Sequence, residues 1–257
     1  MAQDCYTTSR SKAGRTFIPQ ILYEDNHLMI VNKPAGMLTQ GDASGTVSLL
    51  EHLKHYLKVR DRKTGNVYLG MVQRLDKPVS GVIVFAKTSK AAARISAQIR
   101  ERLLTKCYLA VTAAGPDRGL VMADGWRRIT HCLRRVGAVS VVVEGDAAAQ
   151  KGSLHLKTLL VGKQRGFHAV QLVTGRKHQI RVQLAALGMP ICGDGAYGSA
   201  IPPPGGRILL HSYLVRLVHP TRKTNLEVTS APPEEFYAAF TVEERNFIQE
   251  ALGELRC

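Results

Sequence analysis

The chain has 257 residues, 45% of them hydrophobic and 21% charged, enough to bury a sizeable core in one large domain or two small ones. Its 35 Lys and Arg against 20 Asp and Glu give a formal charge of +15, a surplus that points to a polyanionic partner, nucleic acid ahead of anionic membrane. The five cysteines (Cys5, Cys107, Cys132, Cys192, Cys257) form no C-x-x-C pair, which argues against a zinc ribbon or a compact disulfide scaffold and for a reducing compartment.

No apolar run has transmembrane length, and the N-terminus lacks the apolar centre of a signal peptide, so no membrane association is expected. Residues 1–16, rich in Ser and Thr with Arg10, Lys12 and Arg15, read as a flexible basic tail. They also resemble an organellar presequence, so the expected location is cytoplasmic with mitochondrial as the alternative. The remaining residues, 17–257, read as one domain.

Strand signals begin at Ile21-Leu22-Tyr23. A polar turn follows, then the apolar run Leu28-Met29-Ile30-Val31, broken by Asn32-Lys33-Pro34-Ala35-Gly36. Apolar residues at 47, 50, 53 and 57 predict a helix with Thr46 as its N-cap. His52 and His55 on that helix lack a third metal ligand and read as surface or packing residues.

The stretch Val72-Gln73-Arg74-Leu75-Asp76-Lys77-Pro78-Val79-Ser80-Gly81 is a charged turn leading into the β-branched run from Val82 to Ala86. Taken alone, an Asp beside a Pro is a turn former, and Gly81 lets the chain bend before the strand. A helix capped by Thr88 or Ser89 follows, with Ala92, Ile95, Ile99 and Leu103 as its apolar stripe. The strand Lys106-Cys107-Tyr108-Leu109-Ala110-Val111 comes next. Residues 114–153 predict short strands and loops carrying two basic doublets, Arg127-Arg128 and Arg134-Arg135.

A strand over 168–173 precedes Thr174-Gly175-Arg176-Lys177-His178-Gln179-Ile180-Arg181, which opens a helix predicted over 177–187, with Ile180, Leu184 and Leu187 inward and Gly188 as its stop. The G-x-G-x-x-G at 193–198 lacks a surrounding βαβ unit and reads as a turn, not a dinucleotide site. Thr241 and Glu244 form a capping box for a terminal helix.

Four of these strings, in order across roughly residues 20–236, resemble the motifs of the RluA family of pseudouridine synthases: Arg74-Leu75-Asp76 with Ser80-Gly81; Lys106-x-Tyr108-x-Ala110; Gly175-Arg176-x-His178-Gln179-Ile180-Arg181 running on to Gly193-Asp194 and Tyr197-Gly198; and Leu210-His211-Ser212 with His219-Pro220. The Lys33-Pro34-x-Gly36 turn also resembles the start of that family's catalytic domain. The resemblance implies an α+β fold, a largely antiparallel mixed sheet with flanking helices and a central RNA-binding cleft, in a stand-alone catalytic domain without an S4-like RNA-binding domain. It implies an isomerase that converts specific uridines in structured RNA, rRNA or tRNA, to pseudouridine, acting as a monomer.

By the same resemblance Asp76 is the nucleophile, Arg181 its ion-pair partner, and Tyr108 lies against the base and helps remove its C5 proton. Ile180 lines the base pocket. Arg74, Arg176, His178 and Lys33 are the expected substrate contacts, Lys33 toward phosphate. No metal and no cofactor is implied. The chain departs from the family pattern at Gln73, where His is common, and at Pro78-Val79, where many members have x-Thr; both bear on substrate choice more than on activity. A catalytically inactive RNA-binding or ribosome-assembly protein with the same fold is the alternative, and retention of Asp76, Tyr108 and Arg181 together argues against it. A metal-dependent hydrolase would need clustered acids or His ligands, and the acids here are dispersed.

Overall fold

The computed structural model describes residues 19–42, 45–113, 125–202, 205 and 207–255; the tail expected over residues 1–16 lies outside them. Strands β1 (Gln20–Glu24) and β2 (Leu28–Lys33) form a hairpin. Its turn is held by the Asp25 carboxylate, which accepts the amide protons of His27 at 2.7 Å and Leu28 at 2.8 Å.

Helix α1 (Leu49–Arg60) starts two residues later than its apolar spacing suggests. Ser48, not Thr46, is the N-cap, because only Ser48 has a Glu three residues on to complete a capping box. The shift turns Leu49, Leu53 and Leu57 inward and leaves Val47 exposed. After the short β3 (Gly70–Met71) comes β4 (Ser80–Ala86), every residue of it buried. Helix α2 (Ser89–Arg100) is capped by Thr88 as expected, but it buries Ala91 and Ile95 and ends before Leu103, which is exposed.

Strand β5 (Thr105–Ala113) is followed by β6 (Arg127–Val136), β7 (Val139–Val142), β8 (Gln150–Val161) and β9 (Arg165–Leu172). Beyond residue 124 the region expected to hold short strands thus carries two long ones, β6 and β8; Ile129 and Leu133 in the middle of β6 are buried, and the two Arg pairs at its ends are exposed. Helix α3 (Gln179–Ala186), strands β10 (Leu210–Val218) and β11 (Asn225–Thr229), and helix α4 (Val242–Gly253) complete the described chain. The capping box of α4 forms as expected between Thr241 and Glu244, and residues 193–198 make a turn around one short 3-10 helix.

The eleven strands of the described residues join one sheet, in the order β1-β2-β4-β10-β5-β9-β8-β6-β7, with β11 beside β10 and β3 beside β4. Every pairing is antiparallel except that of β4 with β10. At that joint Gly81, at φ +113°, lies so near the other backbone that a Cβ would stand 2.2 Å from the Ser212 carbonyl oxygen. The glycine is there for close approach within a strand, not for a bend before it.

Period-two alternation splits the side chains between two faces. Met29, Val31, Ile83 and Phe85 pack with α1 and α3 on one face. Leu28, Ile30, Val82 and Val84 pack with α2 on the other, where Leu109 and Phe167 meet α4 farther along. The sheet centre is therefore covered on both sides, which is why β2 and β4 read as continuous apolar runs.

Candidate active site

Asp76 lies in the irregular segment between β3 and β4, and the turn after β2 clamps that segment from three sides. Gly36 N–H donates to the Lys77 carbonyl at 2.8 Å. The buried Thr39 hydroxyl donates to the Leu75 carbonyl at 2.8 Å and accepts the Leu75 N–H at 3.2 Å. Lys33 Nζ donates to the carbonyls of Pro34 (2.9 Å), Met37 (2.7 Å) and Lys77 (3.2 Å).

Lys33 therefore departs from the expectation that it meets RNA phosphate. Its side chain is fully buried and its three N–H groups are spent inside the protein, because the turn curls around the end of β2 and leaves three carbonyls without a sheet partner. Burial pulls its pKa down to about 7, opposed by the neighbouring Asp76.

The second half of the site comes from the turn into α3. The Gln179 side chain holds this turn. Its Oε1 accepts from Thr174 Oγ1 (2.7 Å) and the Arg176 N–H (3.0 Å), and its Nε2 donates to the Ser153 carbonyl (3.0 Å). His178 stands at the N-cap in the left-handed region, φ +53°, so α3 begins two residues later than its apolar pattern suggests. Gln179 through Leu184 are all buried, polar residues included, since α3 packs on the β6–β7 end of the sheet.

Arg181 projects from α3 toward Asp76, at 3.4 Å from Nη1 to Oδ2. Its two short bonds go elsewhere, Nε to Asp194 Oδ2 at 2.6 Å and Nη2 to Asp194 Oδ1 at 2.8 Å, a bidentate buried pair. Burial works against the Arg181 charge, and the bonds to Asp194 outweigh it and raise the pKa. The guanidinium also lies over the Tyr197 ring, 4.9 Å from its centroid. His178 Nε2 is 3.7 Å from the same Asp76 oxygen, and His178 Nδ1 is 2.8 Å from the Tyr197 hydroxyl. Burial lowers the His178 pKa, with Asp76 opposing and Arg181 adding to the drop.

These groups open into one cleft of about 810 Å³. Seven cations line it: Arg74, Arg100, Arg102, Lys106, Arg176, Lys177 and Arg181. Among the described residues Asp76 is its single carboxylate. Tyr108 and Ile180, both nearly buried, belong to its wall. Burial, then Asp76, push the Tyr108 phenol up, and a side-chain hydrogen bond with Ser212 opposes them. Lys106 has its pKa lowered by burial.

The tertiary structure thus brings Asp76, Tyr108, Arg181, Arg74, Ile180, Arg176 and His178 to one cleft and leaves Lys33 behind it. His211 and His219 of the fourth motif lie elsewhere. His211 is buried between Ser80 Oγ (2.9 Å) and the Ser230 carbonyl (2.9 Å), and His219 bonds Asp25 at 2.7 Å. Asp194, Tyr197 and Gln179 stand within the third motif, without a role assigned from sequence; Thr39 carries no signal pointing to the site. Among the described residues no three His, Cys, Asp or Glu side chains come together as a metal-ligating group.

A lone carboxylate held by an arginine on the floor of a cationic cleft suits chemistry on a polyanion. Comparison with known proteins says which chemistry. Residues 27–186 match the family model described as RNA pseudouridylate synthase. The chain belongs to the RNA pseudouridylate synthase family.

The uncharacterized RNA pseudouridine synthase YhcT of Bacillus subtilis (strain 168) is 34% identical over 220 residues, 82% of this chain and 68% of that protein. Ribosomal large subunit pseudouridine synthase D of Pseudomonas aeruginosa is 30% identical over 239 residues, 84% of this chain and 69% of that one. Two solved structures share the fold. Human RNA Pseudouridylate Synthase Domain Containing 4 superposes with a TM-score of 0.68 at 23% identity, covering 84% of this chain and 90% of its own. Domain Containing 1 gives 0.65 at 22%, covering 94% and 98%. As a pseudouridylate synthase the chain is an isomerase acting on RNA.

Proposed function

We propose that this pseudouridylate synthase modifies specific uridines of structured RNA with Asp76 as its nucleophile, and that ribosomal RNA is its substrate ahead of transfer RNA. The observation that carries the first part is the position of Asp76, among the described residues the single carboxylate in a cleft with seven cations, 3.4 Å from Arg181. The second part rests on the synthase D relative, whose name places its substrate in the large ribosomal subunit.

The reaction breaks the N1–C1′ bond, turns the uracil, forms the C5–C1′ bond and moves the C5 proton off, leaving N1 protonated. The target uridine first leaves its stack, at a cost of roughly a few kcal/mol, so loops are the expected sites. Arg74, exposed at the cleft mouth, contacts the RNA left behind, while Arg176 and Lys106 meet phosphate. Ile180 packs on the uracil edge. Tyr108 lies against the ring as a neutral phenol and relays the C5 proton after the new carbon–carbon bond has formed, when that proton is most acidic: its oxygen takes the proton as its own O–H proton passes to water in the cleft. Asp76 carries the covalent step.

All the groups invoked lie in one chain, which suits a monomer. Among the described residues no helix is long and apolar enough to cross a membrane, and no membrane role is assigned. The location proposed is cytoplasmic, with mitochondrial as the alternative.

The test is tritium release from C5-labelled uridine in RNA taken from cells lacking this protein. Release by wild type and none by Asp76→Ala is expected. Equal release by both would overturn Asp76 as nucleophile, and no release by either with RNA still bound would favour an inactive binder.

A further inference from the structure

The proton on His178 is assigned by its neighbours. The Tyr197 oxygen accepts the Ser140 backbone N–H at 2.9 Å. A phenol oxygen, conjugated with its ring, has one in-plane acceptor position and one O–H, and Ser140 fills the acceptor. The O–H is left for the atom on its other side, His178 Nδ1, at 2.8 Å. Nδ1 is then an acceptor, and a neutral imidazole must carry its proton on Nε2.

Independently, Nε2 faces the Asp76 carboxylate at 3.7 Å, where an N–H is favoured over a lone pair. Ser140 is itself anchored, its hydroxyl donating to the Lys177 carbonyl at 2.7 Å, so the β7 strand grips the His178 turn twice. The charged groups facing the ring are Asp76, Asp194, Arg181 and Lys177, and burial keeps the imidazole below its ordinary pKa, neutral at pH 7.5 and above.

We propose that Tyr197 is a positioning residue that fixes His178 as its Nε2–H tautomer, so that the His178 N–H faces the Asp76 oxygen to which Arg181 donates, Oδ2, and Oδ1 is left as the attacking atom. Tyr197 is suited to this because it touches both donors, bonding His178 and lying under the Arg181 guanidinium. The proposal deepens, and rests on, the reading of Asp76 as nucleophile. The left-handed backbone at His178 fits it: a strained conformation at a non-glycine residue persists where its side chain must be aimed.

Two measurements test it. The first is the nitrogen chemical shifts of the histidine side chains in the RNA-free protein at pH 7.5, with His178 assigned by the signal missing from His178→Gln. Wild type is expected to show a protonated Nε2 and a bare Nδ1, and Tyr197→Phe to lose that purity while keeping a ring under Arg181. A protonated Nδ1 in wild type, or an unchanged tautomer in Tyr197→Phe, overturns the proposal.

The second is single-turnover rate. Tyr197→Phe is expected to lower the rate about tenfold with RNA affinity unchanged, the scale of one neutral hydrogen bond. In the His178→Gln background, whose amide has no tautomer to choose, the same change is expected to cost less than about twofold. An equal cost in both backgrounds overturns the proposal. If His178→Gln is itself inactive, the nitrogen shifts alone decide. The shifts are read without RNA, so their outcome stands apart from the Asp76→Ala test of the nucleophile.

Discussion

Arg181 makes its two short bonds to Asp194, at 2.6 and 2.8 Å, and meets Asp76 only at 3.4 Å. The arginine is thus held by one carboxylate and presented to another. Asp194 takes the cost of burying the guanidinium, and Asp76 keeps a side chain one-third exposed at the cleft floor. A nucleophile gripped as tightly as Asp194 would have no oxygen free to react.

Asp194→Asn should therefore damage both stability and activity. Breaking a buried pair by removing one partner costs about 3–5 kcal/mol, because the other charge is left uncompensated. Arg181 also loses its aim, and a misplacement of about 1 Å is worth roughly 100-fold in rate. Denaturant melts and single-turnover rates at permissive temperature measure the two effects. A stable, fully active variant would show that Arg181 is held by other contacts.

Lys33 gives a pH signature. Its folded pKa, about 7, lies below its ordinary 10.5, so between those values the unfolded chain binds the extra proton. Stability should rise with pH across that window and fall as pH drops through it toward 7. The difference in unfolding free energy between wild type and Lys33→Met should follow that slope, at up to about 1.4 kcal/mol per pH unit. Parallel stability curves from pH 7 to 10 would mean that the three carbonyls around Nζ hold it charged throughout.

Gly81→Ala should be among the most damaging single changes in the sheet. The added methyl would meet the Ser212 carbonyl oxygen at 2.2 Å and its nitrogen at 2.6 Å, and both are backbone. Nothing short of parting β4 from β10 relieves this, so a loss above about 4 kcal/mol, or no soluble protein, is expected. Near-wild-type thermal stability would show the joint to be more pliant than its geometry implies.

Arg74→Ala and Arg176→Ala should weaken RNA binding and flatten its salt dependence. Removing one phosphate-binding cation should reduce the slope of log affinity against log salt by about 0.7 on single-stranded loops. Filter binding between about 50 and 300 mM salt reads it. Lys33→Met should leave the slope unchanged, since Lys33 does not reach the cleft.

Local chemistry makes much of the molecule legible in advance. The apolar run of β2, the Thr88 cap of α2, the Thr241–Glu244 box of α4 and the turn at 193–198 depend on neighbours a few residues away, and sequence holds those. The α1 start differs by two residues from its apolar spacing because two hydroxyl residues compete for the cap and only the position of Glu51 decides between them. The motif residues of the cleft were legible as a set, and the family with them.

What only the tertiary structure decided is which of those residues face the cleft and which face one another. Lys33 and Arg74 are both cations in polar turns. One is spent on three inward carbonyls and the other is open to solvent, a difference made by the way the turn after β2 folds over the segment before β4. Asp76 and Asp194 are both acids within motifs. Asp194 comes to neutralise Arg181, and Asp76 is left partly free, because Arg181 on α3 reaches both loops that carry them and bonds Asp194 twice at shorter distance. The sequence by itself determined the family, the class of reaction and most of the residues that line the cleft; the division of labour among like residues depended on long-range packing, since the partners that set charge and burial lie far apart along the chain.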